Sequence, residues 1–480
     1  MNQSRACRIV VLVLTALTFA GCAAVAVDAR PGRDEVSGIV KERGGGGIAA
    51  SVAARDDRSV ADRVRSLLAE GLTTEKSVEI TLLQNRNLRA LYAGLDVAQS
   101  DLVQASLLHN PIFDAVLGFP VGGGEPVDFT FGVAMDVVDL LYVPLRKRVA
   151  TARLEETKLR VAAEVLEFAW RAQTAFYRHQ ADEQMLEMRR QVAQSASASY
   201  ELTRRMREAG NVRELDVSSE QALAEEAKLD LRLAEVAERQ SREQLNDVMG
   251  LWGGEAGAWK TASARLPDPP VEALDAERLE SRAIERSLDL AAAEKLVVAA
   301  GENLGFDRAT ALFPEVVVGG KGERDAGDYK PGPSLILPIP LFDRGQARIA
   351  RGKAELERAR ELHYALAVRI RAVTRSTRDR LAGERDRALH YRRVLLPLRD
   401  RVVQDTQLQY NAMQLGPLDL LRAKERQIET AARYIDALRE YWTARADLVL
   451  ILAGRLPPGE VAPAPPALEQ QPRFPFPALQ

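Results

Sequence analysis

The sequence predicts a mainly α-helical chain that carries two short β-hairpins and is built as a tandem repeat. Residues 145–209 contain neither Gly nor Pro, and an unbroken helix there would be about 98 Å long at about 1.5 Å per residue. Residues 127–137, VDFTFGVAMDV, alternate apolar with polar or small side chains, which is typical of a two-faced strand. The whole pattern recurs after about 200 residues, which indicates an internal duplication.

Length and composition leave room for a large core and give no sign of a nucleic-acid partner. The chain has 480 residues, of which 46% are hydrophobic and 28% charged. Its 66 basic and 68 acidic residues are interspersed and give a formal net charge of -2. No basic patch of the kind that binds phosphate backbones is evident, so we expect no nucleic acid among the partners.

The N-terminus has the pattern of a signal peptide, predicted over residues 1–21. Arg5 and Arg8 precede an apolar run over 9–20, which is too short to span a bilayer as a mature helix. The run ends in Ala-Gly-Cys22, which resembles a bacterial lipobox and predicts lipidation, including palmitate, at Cys22. A signal that is cleaved without lipidation is the alternative.

Two further features bear on the N-terminus. Ala23 follows the lipobox, where Asp is the best-known signal for retention at the inner membrane, so delivery to the outer membrane is expected. Cys7 leaves with the signal peptide and Cys22 carries lipid, so no thiol remains for a disulfide, a metal site or a nucleophile.

The first repeat is predicted to follow a lipid-anchored, flexible segment rich in Gly, Ala, Arg and Asp. That segment covers 22–60 and the repeat covers 61–250. The elements of the repeat are a helix ending at Asn110-Pro111, a β-hairpin over 111–138, the long helix, a tip at 210–215 and a second helix.

The second repeat is predicted over 273–454, after a linker at 251–272. Its elements are a helix, a hairpin over 315–342 with strands at 315–320 and 334–342, a long helix, a tip at 414–418 and a last helix. Gly383 and Pro397 are expected to interrupt the long helix, since Pro removes a backbone donor and forces a kink or a break. Residues 455–480 are a Pro-rich tail, expected to be extended or disordered.

The two-faced strand suggests a membrane role for the hairpins. Their arms are about ten residues long, which spans a bilayer when the strands are tilted. Strands in lipid must form a closed barrel, and four strands are too few, so several chains would have to contribute. The odd residues of 127–137 would then face lipid, while Asp128, Thr130 and Asp136 would face a wet lumen. The alternative is an amphipathic hairpin packed on a helix.

The duplicated order of elements resembles the TolC-like outer membrane efflux proteins. The resemblance covers residues 65–454. Three short stretches carry it besides the order itself: Asn85-Arg86-Asn87-Leu88, Pro340-Leu341-Phe342-Asp343-Arg344-Gly345 and Tyr410-Asn411-Ala412-Met413. Each stretch is weakly specific alone, and their order, repeated behind a signal peptide, is what identifies the family.

The resemblance implies both an architecture and a function. In that family three protomers form a twelve-stranded β-barrel in the outer membrane, continued by an α-helical coiled-coil tunnel through the periplasm. The tunnel docks on a periplasmic adaptor and an inner-membrane pump. A lipoprotein of this kind is expected to serve a resistance-nodulation-division (RND) pump for heavy metals or drugs, as a passive exit duct in the outer membrane of a Gram-negative bacterium.

Two acidic residues follow the helix-hairpin tips and are candidate lumen or gate residues. The resemblance places an acid at the position of Asp419 near the periplasmic mouth, where threefold symmetry would make it a charged ring. The alternative for both Asp216 and Asp419 is that each caps the helix it begins. This chain departs from the family pattern nearby, with Arg422 where a second acid often lies and Leu415 where a locking Arg can lie.

The tips are the adaptor contacts that the resemblance implies. The candidate residues are Gly210, Asn211, Leu215, Gly416, Pro417 and Leu418. Simple turn chemistry explains the same Gly and Pro residues without any partner.

Nothing in the sequence suggests an enzyme, a cofactor or a metal centre. The four His residues are scattered without ligand spacing, and neither a phosphate-binding loop nor a catalytic triad is evident. The alternative function is a periplasmic adaptor or scaffold lipoprotein with coiled-coil hairpins and no pore. Adaptors usually place one hairpin inside flanking β-domains, so two full repeats favour the duct.

Overall fold

The computed structural model describes most of both repeats. The described residues are 30–44, 57–119, 128–272, 277–325 and 328–459. The predicted signal peptide, Cys22 and the tail from 460 onward lie outside them.

The described elements of the first repeat begin with four helices. These are α1 (Arg30–Gly44), α2 (Asp57–Ala69), α3 (Thr74–Gln84) and α4 (Arg86–Ser106). Strands β1 (Ile112–Gly118) and β2 (Asp128–Asp136) follow, and then helices α5 (Asp139–Glu208), α6 (Glu214–Met249) and α7 (Gly254–Ala258). The 70 residues of α5 span about 105 Å at about 1.5 Å per residue, so the predicted very long helix is confirmed.

The second repeat has the same order. It comprises α8 (Leu279–Arg286), α9 (Leu288–Ala309), β3 (Val317–Asp325), β4 (Asp328–Ile336), α10 (Gln346–His390), a π-helical turn (Tyr391–Leu395), α11 (Leu396–Asn411) and α12 (Pro417–Ala453). The mainly α, tandem-repeat fold class is therefore confirmed. None of the described helices has the length and apolar character needed to cross a membrane.

The four strands form one antiparallel sheet in the order β1-β2-β3-β4. The central β2–β3 pair joins the two repeats, with Val133 opposite Gly320. The second hairpin differs from the prediction, because β3 continues to Asp325 and β4 begins at Asp328. The prediction of a loop between 320 and 334 was wrong because this stretch is rich in Gly, Pro and charge, a composition that sequence rules assign to turns.

Each repeat starts with the same joint between two short helices. Asn85 ends α3 and caps α4, where its Oδ1 accepts hydrogen bonds from the N–H groups of Asn87 (2.8 Å) and Leu88 (3.2 Å). Its Nδ2 donates to the carbonyl of Val248 at 2.8 Å, near the end of α6. Gly250, left-handed at φ 71°, follows α6 and lies so close that a Cβ there would be 3.2 Å from the Asn85 Cα.

The second repeat uses Ser287 and Gly454 in the same way. The Ser287 Oγ accepts from the Leu290 N–H at 3.0 Å and caps α9. The Leu288 N–H donates to the Gly454 carbonyl at 2.8 Å, and Gly454 has a φ of 114°. In both repeats, therefore, the end of the last helix is fastened to the joint at the start.

The segment predicted to be a flexible tether instead contains two packed helices. Val36 and Val40 of α1 are completely buried against α4 and α5, and Arg33 forms an ion pair with Asp96. The prediction over 22–60 was wrong in these parts because α1 is short and is followed by four Gly residues. Its stabilisation comes from tertiary contacts, which local propensity does not register.

The segment between the repeats is ordered and packed. Trp259 is 1% exposed, and its Nε1 donates to Asn246 Oδ1 at 2.8 Å. The guanidinium of Arg242 lies 4.0 Å above the same indole. Leu72 forms a parallel bridge with Thr261, and Leu251 and Trp259 join the core of the first repeat.

The long helix of the second repeat is distorted rather than interrupted. The helix passes without a break through Gly383, where an interruption was expected. A Gly in a helix interior costs only about 1 kcal/mol, which the packing of the repeat outweighs. Pro397 follows the π-helical turn, whose wider winding accommodates the missing N–H and the ring, and Arg392 of that turn pairs with Asp268.

A buried ion-pair network joins the two repeats. Arg455 lies 2.6 Å from Glu167 Oε2 of α5 and 2.7 Å from Asp289 Oδ1 of α9. The three side chains are 14%, 8% and 8% exposed. Leu456 is also buried, so the predicted tail over 455–480 begins later than expected.

The close approach at Gly454 predicts a sharp loss of stability in Gly454→Ala. The new Cβ would clash with the Arg286 carbonyl and lie 3.1 Å from the Leu288 nitrogen, on a backbone with positive φ. We expect a cost of about 2 kcal/mol in the free energy of unfolding.

The matched control is Gly383→Ala, where a Cβ meets no atom within 4 Å. This change in a helix interior is expected to stabilise the protein by up to about 1 kcal/mol. Thermal unfolding in detergent, followed by circular dichroism, measures the stability of both variants. Equal changes in stability would contradict the close contact assigned to Gly454.

Candidate pore sheet and helix-hairpin tips

One face of the four-stranded sheet is apolar and exposed. Strand register puts the odd residues of β2 on this face together with their partners on the other strands. Its members are Phe113, Ala115, Leu117, Phe129, Phe131, Val133, Met135, Val318, Gly320, Gly322, Arg324, Tyr329, Pro331, Pro333 and Leu335. Phe113 is 66% exposed and Leu335 67%, although both are large apolar side chains. Arg324 is the one charged residue, near the tip of the hairpin.

The opposite, more polar face carries the three residues that the sequence selected for a lumen, together with the apolar Ile112, Val116, Val317 and Ile336. Asp128, Thr130 and Asp136 share this face with Asp114, Lys321, Glu323, Lys330 and Ser334. Thr130 lies opposite Glu323, and the Glu323 partner on β4 is Lys330. The alternation found in β2 thus extends only in part to the other strands, since β1 has the apolar Ile112 and Val116, each 61% exposed, on this face.

Asp136 has a structural task in addition to its place on the polar face. Its Oδ1 accepts hydrogen bonds from the N–H groups of Val138 (3.2 Å) and Val316 (3.1 Å). These bonds tie the end of β2 to the start of β3. The sequence did not predict this role, because it depends on the pairing of two strands about 180 residues apart.

Asp139 organises the junction between the sheet and the long helix. It is the first residue of α5, accepts from the His109 N–H at 3.0 Å and lies 2.7 Å from Arg146 Nη1. Burial alone would raise the pKa of Asp139, but the His109 N–H and the Arg146 guanidinium outweigh it and hold the pKa below its usual value. This role of Asp139 was not predicted from the sequence, although an acid at a helix N-terminus is a recognisable signal.

The first tip ends α5 with a tight left-handed turn. Gly210 has a φ of 79°, and its N–H donates to the Arg207 carbonyl at 2.9 Å. The Asn211 N–H donates to the Met206 carbonyl, also at 2.9 Å. These two bonds form the Schellman motif that terminates many helices. Leu215, at the start of α6, is 59% exposed.

The second tip repeats this geometry with a non-glycine residue. Met413 has a φ of 58°, and the N–H groups of Met413 and Gln414 donate to the carbonyls of Tyr410 and Gln409, both at 2.9 Å. Methionine in this conformation carries backbone strain that glycine at 210 avoids. Its side chain is 94% exposed. The exposed Gly416 caps α12; the side chains of Pro417 and Leu418 lie outside the described part.

The acids at the two tips have different surroundings. Asp216 is the third residue of α6 and its side chain is 6% exposed. Its Oδ2 accepts from the Arg213 N–H at 3.3 Å, and its Oδ1 lies 3.1 Å from Arg213 Nη2. The hydrogen bonds from the Arg213 side chain and backbone lower the pKa of Asp216. Asp216 is therefore a helix cap, the alternative that the sequence left open.

Asp419 is the corresponding residue of α12 and is exposed. Gly416 stands at the position of Arg213, so the partner that binds Asp216 has no counterpart here. Among the described residues, the Asp419 carboxylate has no hydrogen-bond or ion-pair partner. Of the two candidate gate residues, only Asp419 has a carboxylate that is open to solvent in the protomer.

No group of three or more His, Cys, Asp or Glu side chains within the described ranges is arranged to hold a metal ion. His179 illustrates how such residues are used instead. Its ring is 1% exposed, lies 3.2 Å from Ser241 Oγ through Nδ1 and meets the Trp259 ring edge-on at 5.2 Å. Burial, aided by the charge of Arg242, lowers the pKa of His179 to about 4, so it is a neutral core residue at pH 7.

Comparisons with known proteins give relatives of similar length and the same fold. No family model matches the chain. The chain is 21% identical to the cobalt-zinc-cadmium resistance protein CzcC of Cupriavidus metallidurans over 389 residues, which are 79% of this chain and 90% of that protein.

Two solved structures extend this similarity. A membrane protein from Pseudomonas aeruginosa matches with a TM-score of 0.69 and 17% identity, over 79% of this chain and 92% of that one. The CmeC outer membrane channel of Campylobacter jejuni matches with a TM-score of 0.68 and 13% identity, over 79% and 85%. The chain thus has the fold of the TolC-like outer membrane channels, and the resemblance in its sequence is confirmed.

The cap at the first tip predicts a local effect of Asp216→Asn. Removing the charge weakens the bonds to Arg213, and we expect amide hydrogen exchange over residues 213–217 to speed up about two- to fivefold at pH 7, which corresponds to about 0.5–1 kcal/mol. Because the pKa of Asp216 is lowered in the folded state, this stabilisation is complete above about pH 4 and is lost as the pH falls further.

Hydrogen exchange at pH 7 and pH 3, read by mass spectrometry, tests this difference. The ratio of variant to wild-type rates should approach one at the lower pH. Asp419→Asn is the matched control, and it should change exchange at the second tip much less. An equal effect at both tips would show that Arg213 is not the cause.

Proposed function

We propose that this chain is the outer-membrane exit duct of a tripartite efflux system, through which cargo leaves passively for the exterior. One observation carries the proposal most strongly. In a chain with the fold of the TolC-like channels, a sheet with one apolar exposed face and one face that carries most of its charged residues stands at the head of a helix about 105 Å long. Such a sheet fits lipid on one side and water on the other.

The sheet closes into a barrel when several chains join. In the protomer, β1 and β4 are the edges of the sheet, and their outward backbone groups pair with no other described strand. Backbone groups of a strand in lipid have to be paired, so β4 of one copy pairs with β1 of the next. Three copies give the twelve-stranded barrel of a homotrimer, and the helices continue it as a tunnel into the periplasm.

The proposed barrel puts the apolar face against outer-membrane lipid and the polar face around the lumen. Asp128 and Thr130 then line the lumen together with Lys321, Glu323 and Lys330. Acidic and basic side chains alternate there, which suits a wet passage without a strong preference for one sign of charge. Lipid at Cys22 would add a second anchor in the same membrane.

The tips are proposed to contact a periplasmic adaptor, which in turn holds an inner-membrane pump of the RND class. The residues in contact would be Gly210, Asn211 and Leu215 at the first tip and Gly416, Pro417 and Leu418 at the second. The relative CzcC is a cobalt-zinc-cadmium resistance protein, which favours metal ions among the cargoes, beside small molecules. Asp419 would form a ring of three carboxylates at the periplasmic mouth.

Conductance of the purified, detergent-extracted protein in a planar bilayer tests the duct. We expect a trimer by mass in detergent and discrete single-channel steps. In Asp419→Ala the ring loses its charge, and the ratio of cation to anion permeability should fall about two- to threefold at low salt.

Arg213→Gln combined with Asp216→Asn is the control for this measurement, because it removes an ion pair without changing the net charge of the tip and should leave the permeability ratio unchanged. A monomer or dimer without conductance, and without heat-modifiable migration in a gel, would reject the duct. It would favour a periplasmic scaffold without a pore instead.

The two faces of the sheet predict opposite effects of the same substitution. Val133→Lys puts a charge on the apolar face, 51% exposed, and should cost about 2–4 kcal/mol per chain in lipid, so that no heat-resistant trimer forms. Thr130→Lys puts the charge on the polar face opposite Glu323 and should allow assembly. Migration in gels before and after heating measures both, and equal tolerance at both positions would contradict the assignment of the faces.

A further inference from the structure

The free edge of β4 carries two prolines. Pro331 and Pro333 lie in the middle of this strand, opposite Gly322 and Gly320 of β3. Proline has no backbone N–H, so the side of the strand on which these residues would donate is deficient in hydrogen-bond donors. Whether β3 or a strand of another copy loses these hydrogen bonds depends on the side of β4 to which the backbone nitrogens of Pro331 and Pro333 point.

The turn of the hairpin settles this direction. Asp325 and Asp328 are paired across a connection of two residues, and the pair that flanks such a connection exchanges both of its backbone hydrogen bonds. Every second residue after Asp328, all of them even-numbered, then bonds to β3. The backbone groups of the odd-numbered residues point away from β3, toward the free edge. These residues are Tyr329, Pro331, Pro333 and Leu335. Two of the four outward donors on this edge are therefore missing.

We propose that Pro331 and Pro333 select the strand that pairs with β4, by permitting β1 of another copy and disfavouring a second β4. The proposal rests on the proposed barrel of several chains and deepens it. A sheet with two free edges can join another copy in two ways. Pairing of β4 with β4 gives a closed twofold dimer, whereas pairing of β4 with β1 is head-to-tail and can continue around a ring.

The prolines affect these two pairings unequally. In an antiparallel β4–β4 pair centred on Gly332, Pro331 of one copy lies opposite Pro333 of the other. Both strands lack donors at the centre, and four hydrogen bonds are lost. Strand β1, IFDAVLG, contains no proline, so a β4–β1 pair loses only the two bonds that β4 itself cannot donate. The wrong pairing thus loses twice as many bonds as the productive one.

A cysteine introduced at Gly332 reports on the wrong pairing. A Cβ at this position meets no atom within 4 Å, so Gly332→Cys fits the strand. In a twofold β4–β4 pair the two introduced thiols face each other within the Cα separation of about 4.4–6.8 Å that a disulfide needs. In a ring of three chains they lie apart across the lumen and cannot react.

The experiment compares Gly332→Cys alone with the same change combined with Pro331→Ala and Pro333→Ala, under mild oxidation during assembly. We expect at least about tenfold more disulfide-linked dimer in the combined variant, which corresponds to only about 1.4 kcal/mol. The parent chain, which keeps Gly332, controls for any reaction of Cys22. Equal amounts of dimer with and without the prolines, or no dimer in either, would overturn the proposal.

Heat resistance of the trimer gives a second, independent readout. Pro331→Ala with Pro333→Ala restores two outward donors, so the trimer should survive to a higher temperature in detergent gels. Pro338→Ala with Pro340→Ala, beyond the end of β4, is the control and should have no such effect. An unchanged dissociation temperature in the Pro331→Ala, Pro333→Ala variant would show that these prolines do not face the β1 strand of the neighbouring copy. Wild-type protein that is neither trimeric nor conducting rejects the duct itself, and is thereby distinguished from failure of this inference.

Discussion

Pairing of backbone groups along the sheet is the constraint on which the rest of the molecule depends. Four strands leave two edges unpaired, and in lipid an unpaired edge costs several kcal/mol for each group. In the proposed duct, the sheet is therefore completed by further copies of the chain. Three features are consistent with a sheet that is completed by strands of other copies. They are its two unlike faces, its unpaired β1 and β4 edges and the prolines of β4.

The two repeats reach that shared sheet because the same joint sets their geometry twice. The Asn85 side chain binds the Val248 carbonyl, and the Leu288 N–H binds the Gly454 carbonyl, so the end of a late helix in each repeat is fastened to the joint between two early ones. Arg455 then links α5 of the first repeat to α9 of the second through two buried carboxylates. With the two repeats joined in this way, β2 and β3 pair in a register that places Val133 and Met135 of β2 on the same face as Val318 of β3.

Much of this architecture could be predicted from the sequence, because periodicity and the absence of Gly and Pro are local signals. The long helix, both tips and the faces of β2 are of this kind. What could not be predicted depends on distant partners. Helix α1 is held by burial of Val36 and Val40. Strands β3 and β4 extend through Gly- and Pro-rich sequence because β2 pairs with β3 and β3 pairs with β4. Asp216 differs from Asp419 through one neighbour, Arg213.

The duplicated tips have diverged in chemistry while keeping one backbone geometry. The first tip has Gly210 in the left-handed position and Arg213 beside its acid; the second has an exposed Met413 and leaves Asp419 open. A π-helical turn above the second tip has no counterpart in α5. In a homotrimer, three tips with an open Asp419 carboxylate then alternate around the mouth with three tips whose acid is paired with Arg213. A partner that engages every tip has to match two surfaces rather than one surface repeated six times.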